Sequence, residues 1–395
     1  MKLFNWKLYP VFIALLFLNT SNAQTIEQYF NVLKKQGKQP VAFVTEKLQD
    51  YDLIVFDDAL HAAVEPFEFY MKYIKEKSKT IDYLFVETVP VTVQPLIDSF
   101  LQADAKDTSI LAGVFQNDFR LGWPYKTYLE LFLTVWDVNQ KLEKDDRIRI
   151  IGVDQPVYWD GLHNRQDYNL FQQSLVARDN FMYNIIKQYM NSFKNGKKAF
   201  FLTNTRHAYK CIKDKEGQIY WNTGTFLHKW HPGKTYAIRF HNMILNVQAV
   251  KKDVSNSSTE GLDRLEYSWE RMAEGKWDSA FARNDNQPVA IPFEDNVFGR
   301  HPYWGNHMSY VEEGQTMYDA YDALIFMKPL EKTTFSGHTA FYISKEFKRE
   351  MVHRIKVMHG HDLDAFLHRH KVNSIEEYIE NHSKPSPEKS NPLVK

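Results

Sequence analysis

Four short apolar runs, each ending abruptly in polar or charged residues, constrain this chain more than any other feature. They are Leu53 to Phe56 (LIVF), Tyr83 to Val86 (YLFV), Ile148 to Val153 (IRIIGV) and Ala199 to Leu202 (AFFL). Runs of this length, apolar on both alternating faces and set between longer amphipathic stretches, read as strands of a sheet buried on both sides. The alternation predicts an α/β fold, with a central, mostly parallel sheet flanked by helices. Thr235 to Phe240 (TYAIRF) and Ala323 to Phe326 (ALIF) read as further strands of it.

Between the strands, apolar residues recur at helical spacing. Phe67, Tyr70, Met71 and Ile74 mark a helix over 65–75; Leu129, Phe132, Val135 and Trp136 mark one over 125–142; Phe181, Met182, Ile185 and Ile186 mark one over 175–193. Residues 252–310 are irregular: a polar turn, a helix near Leu262 to Met272, then a long connection rich in Asn, Pro, Gly and aromatics. A helical C-terminal extension is expected over 341–382. The Ser/Pro/Lys-rich end, 383–395, has the composition of a disordered tail.

Residues 1–23 carry Lys2 and Lys7, an apolar stretch from Val11 to Leu18, and the small residues Ser21 and Ala23 before Gln24. This is the layout of a signal peptide, and it predicts an exported protein, periplasmic or secreted. The apolar stretch is too short for a stable membrane anchor, and no later run is long enough to span a bilayer. Cleavage would leave 47 basic against 49 acidic residues, a balance that points away from nucleic acid. Cys211, the single cysteine, allows no internal disulfide and reads as an inert buried thiol.

Ligands of open α/β sheets bind beyond the carboxyl ends of the strands, so the residues just after each run matter most. The first run leads into Asp57, Asp58 and His61, the second into Glu87, the third into Asp154 and the fourth into Asn204, Arg206 and His207. His61 and Glu65 are four apart, so on a helix they would share a face, and a histidine held by a carboxylate is suited to activating water. No cofactor is required by this reading. A divalent metal held by His61, His207, Asp58 and Glu87 is the alternative that spacing leaves open. His359, His361, His368 and His370, with Asp362 and Asp364, read as a solvated helical face.

The same segments resemble the erythromycin esterase-like family. YDLIVFDDALHAAVEPFEFY (51–70) is similar to that family's strand running into Gly-Glu-x-x-His-Gly-x-x-Glu, with Asp57, Asp58, His61 and Glu65 at the matching positions. Phe85-Val86-Glu87, Gly152-Val153-Asp154, Arg178-Asp179-Asn180-Phe181-Met182, Asn204-Thr205-Arg206-His207, Gly224 to Leu227 and Asp322-Ala323-Leu324 come next, in the family's order. The resemblance spans roughly 40–330 and marks 24–340 as the domain concerned. It implies a hydrolase without an obligatory metal, whose expected partner is a small-molecule substrate. His61 would be the general base for water attacking an ester or lactone, Glu87 would orient it, and His207 would stabilise charge from the opposite wall. Asp58 would complete that catalytic group, with Glu65, Asp154, Arg178 and Asn204 facing the substrate; Arg178 reads equally as an anion clamp or a structural ion pair, and Asp154 as a turn cap.

The sequence also departs from the pattern. Asp57 and Asp58 replace Gly-Glu, Ala62 replaces the glycine after the histidine, and Asn204 replaces the first histidine of the later pair. Asn204 can donate a hydrogen bond to an oxyanion but cannot exchange protons near neutral pH. Two other classes therefore stand beside the esterase reading: a non-catalytic binder of a haem-like ligand, and a metal-dependent peptidase.

Overall fold

A computed structural model describes residues 25–250, 264–305 and 311–394; the expected signal peptide, residues 1–23, lies outside them. Seven strands form the main sheet: β1 (Leu53–Asp57), β2 (Tyr83–Pro90), β3 (Arg149–Asp154), β4 (Ala199–Thr203), β5 (Thr235–Phe240), β8 (Val289–Pro292) and β9 (Ala323–Phe326), in the order β3-β2-β4-β1-β5-β9-β8. The intervening β6 (Ile244–Val250) and β7 (Arg264–Glu270) form a separate two-stranded ribbon. All neighbours in the main sheet are parallel except β8, which pairs antiparallel with β9.

Both faces of the sheet are covered. Ile54, Phe56, Leu84, Val86, Phe200 and Leu202 pack into one buried cluster, and their alternating neighbours Leu53, Val55, Phe85, Ala199 and Phe201 pack into the other. This is why the strands read as continuous apolar runs rather than as an alternating pattern. The helices Glu65–Lys77 and Lys126–Asn139 lie on the first face, while Arg178–Lys187 contributes Met182, Tyr183 and Ile186 to the second. The expected 175–193 helix is divided into a 3-10 turn, Leu175–Ala177, and the α-helices Arg178–Lys187 and Met190–Phe193.

Two expectations require correction. The helix near Leu262 to Met272 is strand β7, paired antiparallel with β6 from Ile244↔Glu270 to Val250↔Arg264; residues 262 and 263 lie outside the described set. Tyr267 and Trp269 sit two apart, the period of a strand, and this pairing overrides the helical reading. The expected C-terminal helices are present as Lys345–His359, Leu363–His370 and Ile375–His382, and they send Met351, Ile355, Phe366 and Ile379 into the first core cluster. His359 and His370 pack on Phe366, with ring centroids 4.1 and 4.6 Å away, so ring packing holds part of that histidine group. Lastly, the segment after Ser383 is ordered: Lys389–Ser390 pairs antiparallel with Thr334–Phe335.

Asn391 supplies the reason for that order. It is buried, and its Nδ2 donates to Asn242 Oδ1 (3.2 Å) and Thr333 Oγ1 (3.0 Å), while its Oδ1 accepts from Leu393 N (3.0 Å). Burying an amide with its bonds made fixes a segment whose composition alone would leave it free. Asn391→Ala removes those bonds at a cost of about 1–3 kcal/mol. The expected result is faster tryptic cleavage after Lys389, the Lys384–Pro385 bond being resistant to trypsin, with the remainder of the chain still protected; an unchanged cleavage pattern would refute the anchoring role.

Candidate active site

Three loops converge beyond the C-terminal ends of β1, β2 and β4, around a cavity of about 1010 Å³. His61, Glu87, Asp154, Arg178, Asn204 and His207 all line it, while Asp58 stands directly behind His61. Glu65 belongs elsewhere. His61 lies in a turn before the helix rather than on it, and Glu65, at the helix start, accepts from Thr334 N (2.9 Å) and pairs with Lys328 (3.3 Å). The His61–Glu65 pairing read from their spacing is thus replaced by a tighter local one.

That local pairing is His61 Nδ1 donating to Asp58 Oδ2 at 2.8 Å, with the Tyr128 hydroxyl oxygen 3.2 Å from the same nitrogen. The turn is set by Ala59 in the left-handed region (φ 59°), by Leu60 N–H bonding to Asp58 O, and by Asp58 N–H bonding to Thr203 O. A left-handed alanine is a strained conformation, held here because the loop is tied at several points. The other ring nitrogen, Nε2, faces Glu87 Oε1 at 3.6 Å, too close for a water to stand between them. Trp123 meets the His61 ring edge-on, 5.4 Å between centroids, and the imidazole keeps 20% of its surface open to the cavity.

Glu87 is displayed by an irregularity in β2. Between Val86 and Pro90, three residues of β2 are matched by only one of β3, Val153, between Gly152 and Asp154. Gly152 permits this, because a Cβ there would meet Val89 O at 2.7 Å and Pro90 O at 2.9 Å. The carboxylate then takes Thr203 Oγ1 (2.6 Å) and Asn204 N (2.9 Å) on Oε2, and faces Arg178 Nη2 (3.1 Å) and His207 Nε2 (3.3 Å) on Oε1. Burial opposes its charge, but His207, His61 and Arg178 hold it well below the usual carboxylate range. Burial likewise disfavours a charged His61, yet Asp58 and Glu87 push its ring up to about 10, while burial raises Asp58 to about 6. The direction of this shift favours the imidazolium form of His61, where the sequence setting implies a neutral base.

Arg178 is consumed by the protein. It grips Asp154 bidentately (2.7 and 2.9 Å), and Asp154 also caps Gln155 N (2.8 Å), so the structural ion pair and the turn cap are the geometry found. His207 is engaged at both nitrogens: Nδ1 bonds Asp179 Oδ1 (2.8 Å), while Nε2 receives Arg206 Nε (3.0 Å) and lies 3.1 Å from Arg178 Nη1. Asn204 is different, since its carboxamide makes no hydrogen bond among the described residues while lining the cavity. Among those residues no three His, Cys, Asp or Glu side chains converge as ligands for an ion.

Asp57, at the family's glycine position, never reaches the cavity. Fully buried, it receives Arg239 Nη1 and Tyr321 Oη on Oδ2 (2.6 Å each), and Ala59 N (2.8 Å) and Thr205 Oγ1 (3.1 Å) on Oδ1. One carboxylate thus ties the His61 loop to the segment bearing His207. Sequence reasoning also missed the apolar wall. Leu245 and Trp269, register partners in the ribbon, line the cavity with Trp221, Phe335 and Leu393; the alternation around Tyr267 and Trp269 was the available signal.

No protein-family profile matches the sequence, and no curated protein is significantly similar to it. Solved structures do resemble it. A succinoglycan biosynthesis protein superposes with a TM-score of 0.50 at 9% identity, over 76% of this chain and 96% of that one. The likeness is one of fold. A Bacillus cereus protein (TM-score 0.45, 12% identity, 76% and 97% covered) and an erythromycin esterase variant in its open conformation (0.48, 9%, 73% and 96%) are also similar.

Proposed function

We propose that this chain is an exported hydrolase in which His61 activates water to attack an ester or related acyl bond of a small molecule. The observation that carries the reading is the placement of His61 on the cavity floor, with Asp58 at 2.8 Å behind it and Glu87 at 3.6 Å in front. A water bound to Nε2 from the cavity side gives its proton to that nitrogen as its oxygen bonds to the acyl carbon; the proton then passes to the departing alkoxide, giving an acid and an alcohol. Asn204 donates to the carbonyl oxygen as it gains charge, the task the sequence resemblance gave to His207, whose nitrogens are both engaged.

The ring must lose a proton before it can accept one, and this sets the pH dependence. With His61 raised to about 10, kcat/KM of the free enzyme rises about tenfold per pH unit from neutrality and levels near that value. A pH–rate profile over 6–10.5 on one cleaved ester is the measurement. A rate that is flat, or that falls above neutrality, would show His61 acting as an acid or only as a fixed charge. The imidazolium also favours a second reading, a non-catalytic ligand-binding protein, for which defined stoichiometric binding without turnover of any ester is the expected behaviour.

A further inference from the structure

The cavity holds three guanidinium groups, and they are not equivalent. Arg178 is buried and neutralised by Asp154 and Glu87. Arg120 and Arg206 are exposed at the walls, and among the described residues neither has a carboxylate within ion-pairing distance. The contacts they do make leave their charge uncompensated: Arg206 Nε bonds His207 Nε2 (3.0 Å), and Arg120 lies over the Phe119 ring (5.5 Å).

The acids nearby are engaged by other partners in the protein. Asp179 Oδ1 is taken by His207 Nδ1, Thr223 N and Thr223 Oγ1, each at 2.8 Å. Asp118 is buried, accepts the backbone N–H of Arg120 (2.8 Å), and is raised above the usual carboxylate range by that burial. The guanidinium groups of Arg120 and Arg206 are thus left without an ion-pair partner among the described residues at the walls, while the bonded oxygens of Asp118 and Asp179 serve the protein itself.

Each arginine stands beside aromatic surface. On the Arg206 wall, Tyr220 and Trp221 are each 46% exposed, and Trp221 stacks on Phe226 (5.2 Å, 26°) so that its indole is braced from behind. On the Arg120 wall, the Trp123 indole N–H is buried and has no acceptor among the described residues. Trp269 adds a third indole from the ribbon. Large rings left exposed around a concave site mark a place where another flat group is covered, and a free guanidinium beside them is suited to a carboxylate or phosphate.

We infer that the ligand of this cavity carries an anionic group, carboxylate or phosphate, on a ring-bearing body, with Arg120 and Arg206 receiving the charge and the tryptophans the ring. Calling that ligand the substrate rests on the hydrolase reading; its binding does not. The overall charge balance of the chain, 49 basic against 49 acidic residues, confines this attraction to the site and does not extend it to a polyanion.

The test is binding of 2-naphthoate, 2-naphthyl phosphate and neutral 2-naphthamide to the full chain, by tryptophan fluorescence and calorimetry, with Arg120→Gln, Arg206→Gln and the double variant. Both arginines are exposed, so circular dichroism should show the variants folded. At least one anion is expected to bind about tenfold or more tighter than the amide. That preference should weaken with added salt and fall to about unity in the double variant, and the stronger anion tells carboxylate from phosphate. Equal binding of all three, or a preference that survives in the double variant, overturns the inference. Ester turnover is scored separately: anion preference without turnover counts against hydrolysis alone, and turnover without anion preference counts against this inference alone.

Discussion

His61→Ala is expected to lower ester turnover by a factor of about 10² to 10⁴, the usual contribution of a positioned proton acceptor, without unfolding the chain. The side chain is partly open to the cavity, so its removal leaves a pocket that water can fill. Its loss does leave Asp58 buried with no partner on either oxygen, since Oδ1 has none already; Asp58 is already raised to about 6 and can meet this by protonation. The measurement is a screen of acyl esters and lactones with wild type and variant, then kcat on whatever is cleaved. Turnover indifferent to the substitution removes His61 from the mechanism. Glu87→Ala is a less selective probe, because that carboxylate also holds Thr203, Asn204 and Arg178.

Asp57→Gly is expected to destabilise the chain by about 3–5 kcal/mol. Arg239 is the reason. Its guanidinium is fully buried, opposite Asp57 in the β1–β5 register, and its Nε and Nη2 already lack partners. Removing the carboxylate would strand a cation in the core and release Thr205, Tyr321 and the Ala59 N–H together. Urea unfolding should show the midpoint falling sharply. Adding Arg239→Leu should recover much of the loss, because replacing both members of a buried pair costs less than orphaning one. If Asp57→Gly alone left the midpoint in place, the pair would have no structural weight.

These substitutions mark where the sequence could be read. The convergence of His61, Glu87, Asp154, Asn204 and His207 was legible because parallel strands put the residues after them at one edge, and each apolar run showed its own end. Partnerships were not. Asp58 lies three residues before His61 and Glu65 four after, so spacing admitted both; the left-handed turn at Ala59 decided it, and no residue type announces such a turn at alanine. The Asp57–Arg239 pair joins distant segments and needs the register of β1 on β5 to be seen. The order of the chain's end depends on one buried amide, Asn391, against a composition that argues for disorder.

That last contact bears on how the protein can be made. Phe335 pairs with Lys389 and Ala63 bridges to Phe335, so the turn just after His61 leans on residues at the far end of the chain, and Leu393 closes part of the cavity wall. During synthesis the sheet has all its strands once Phe326 has emerged, yet the pocket stays open on one side until the final stretch docks. An affinity handle fused after Leu393 would therefore sit at the mouth of the cavity, whereas one placed ahead of Ile26 would leave that docking undisturbed.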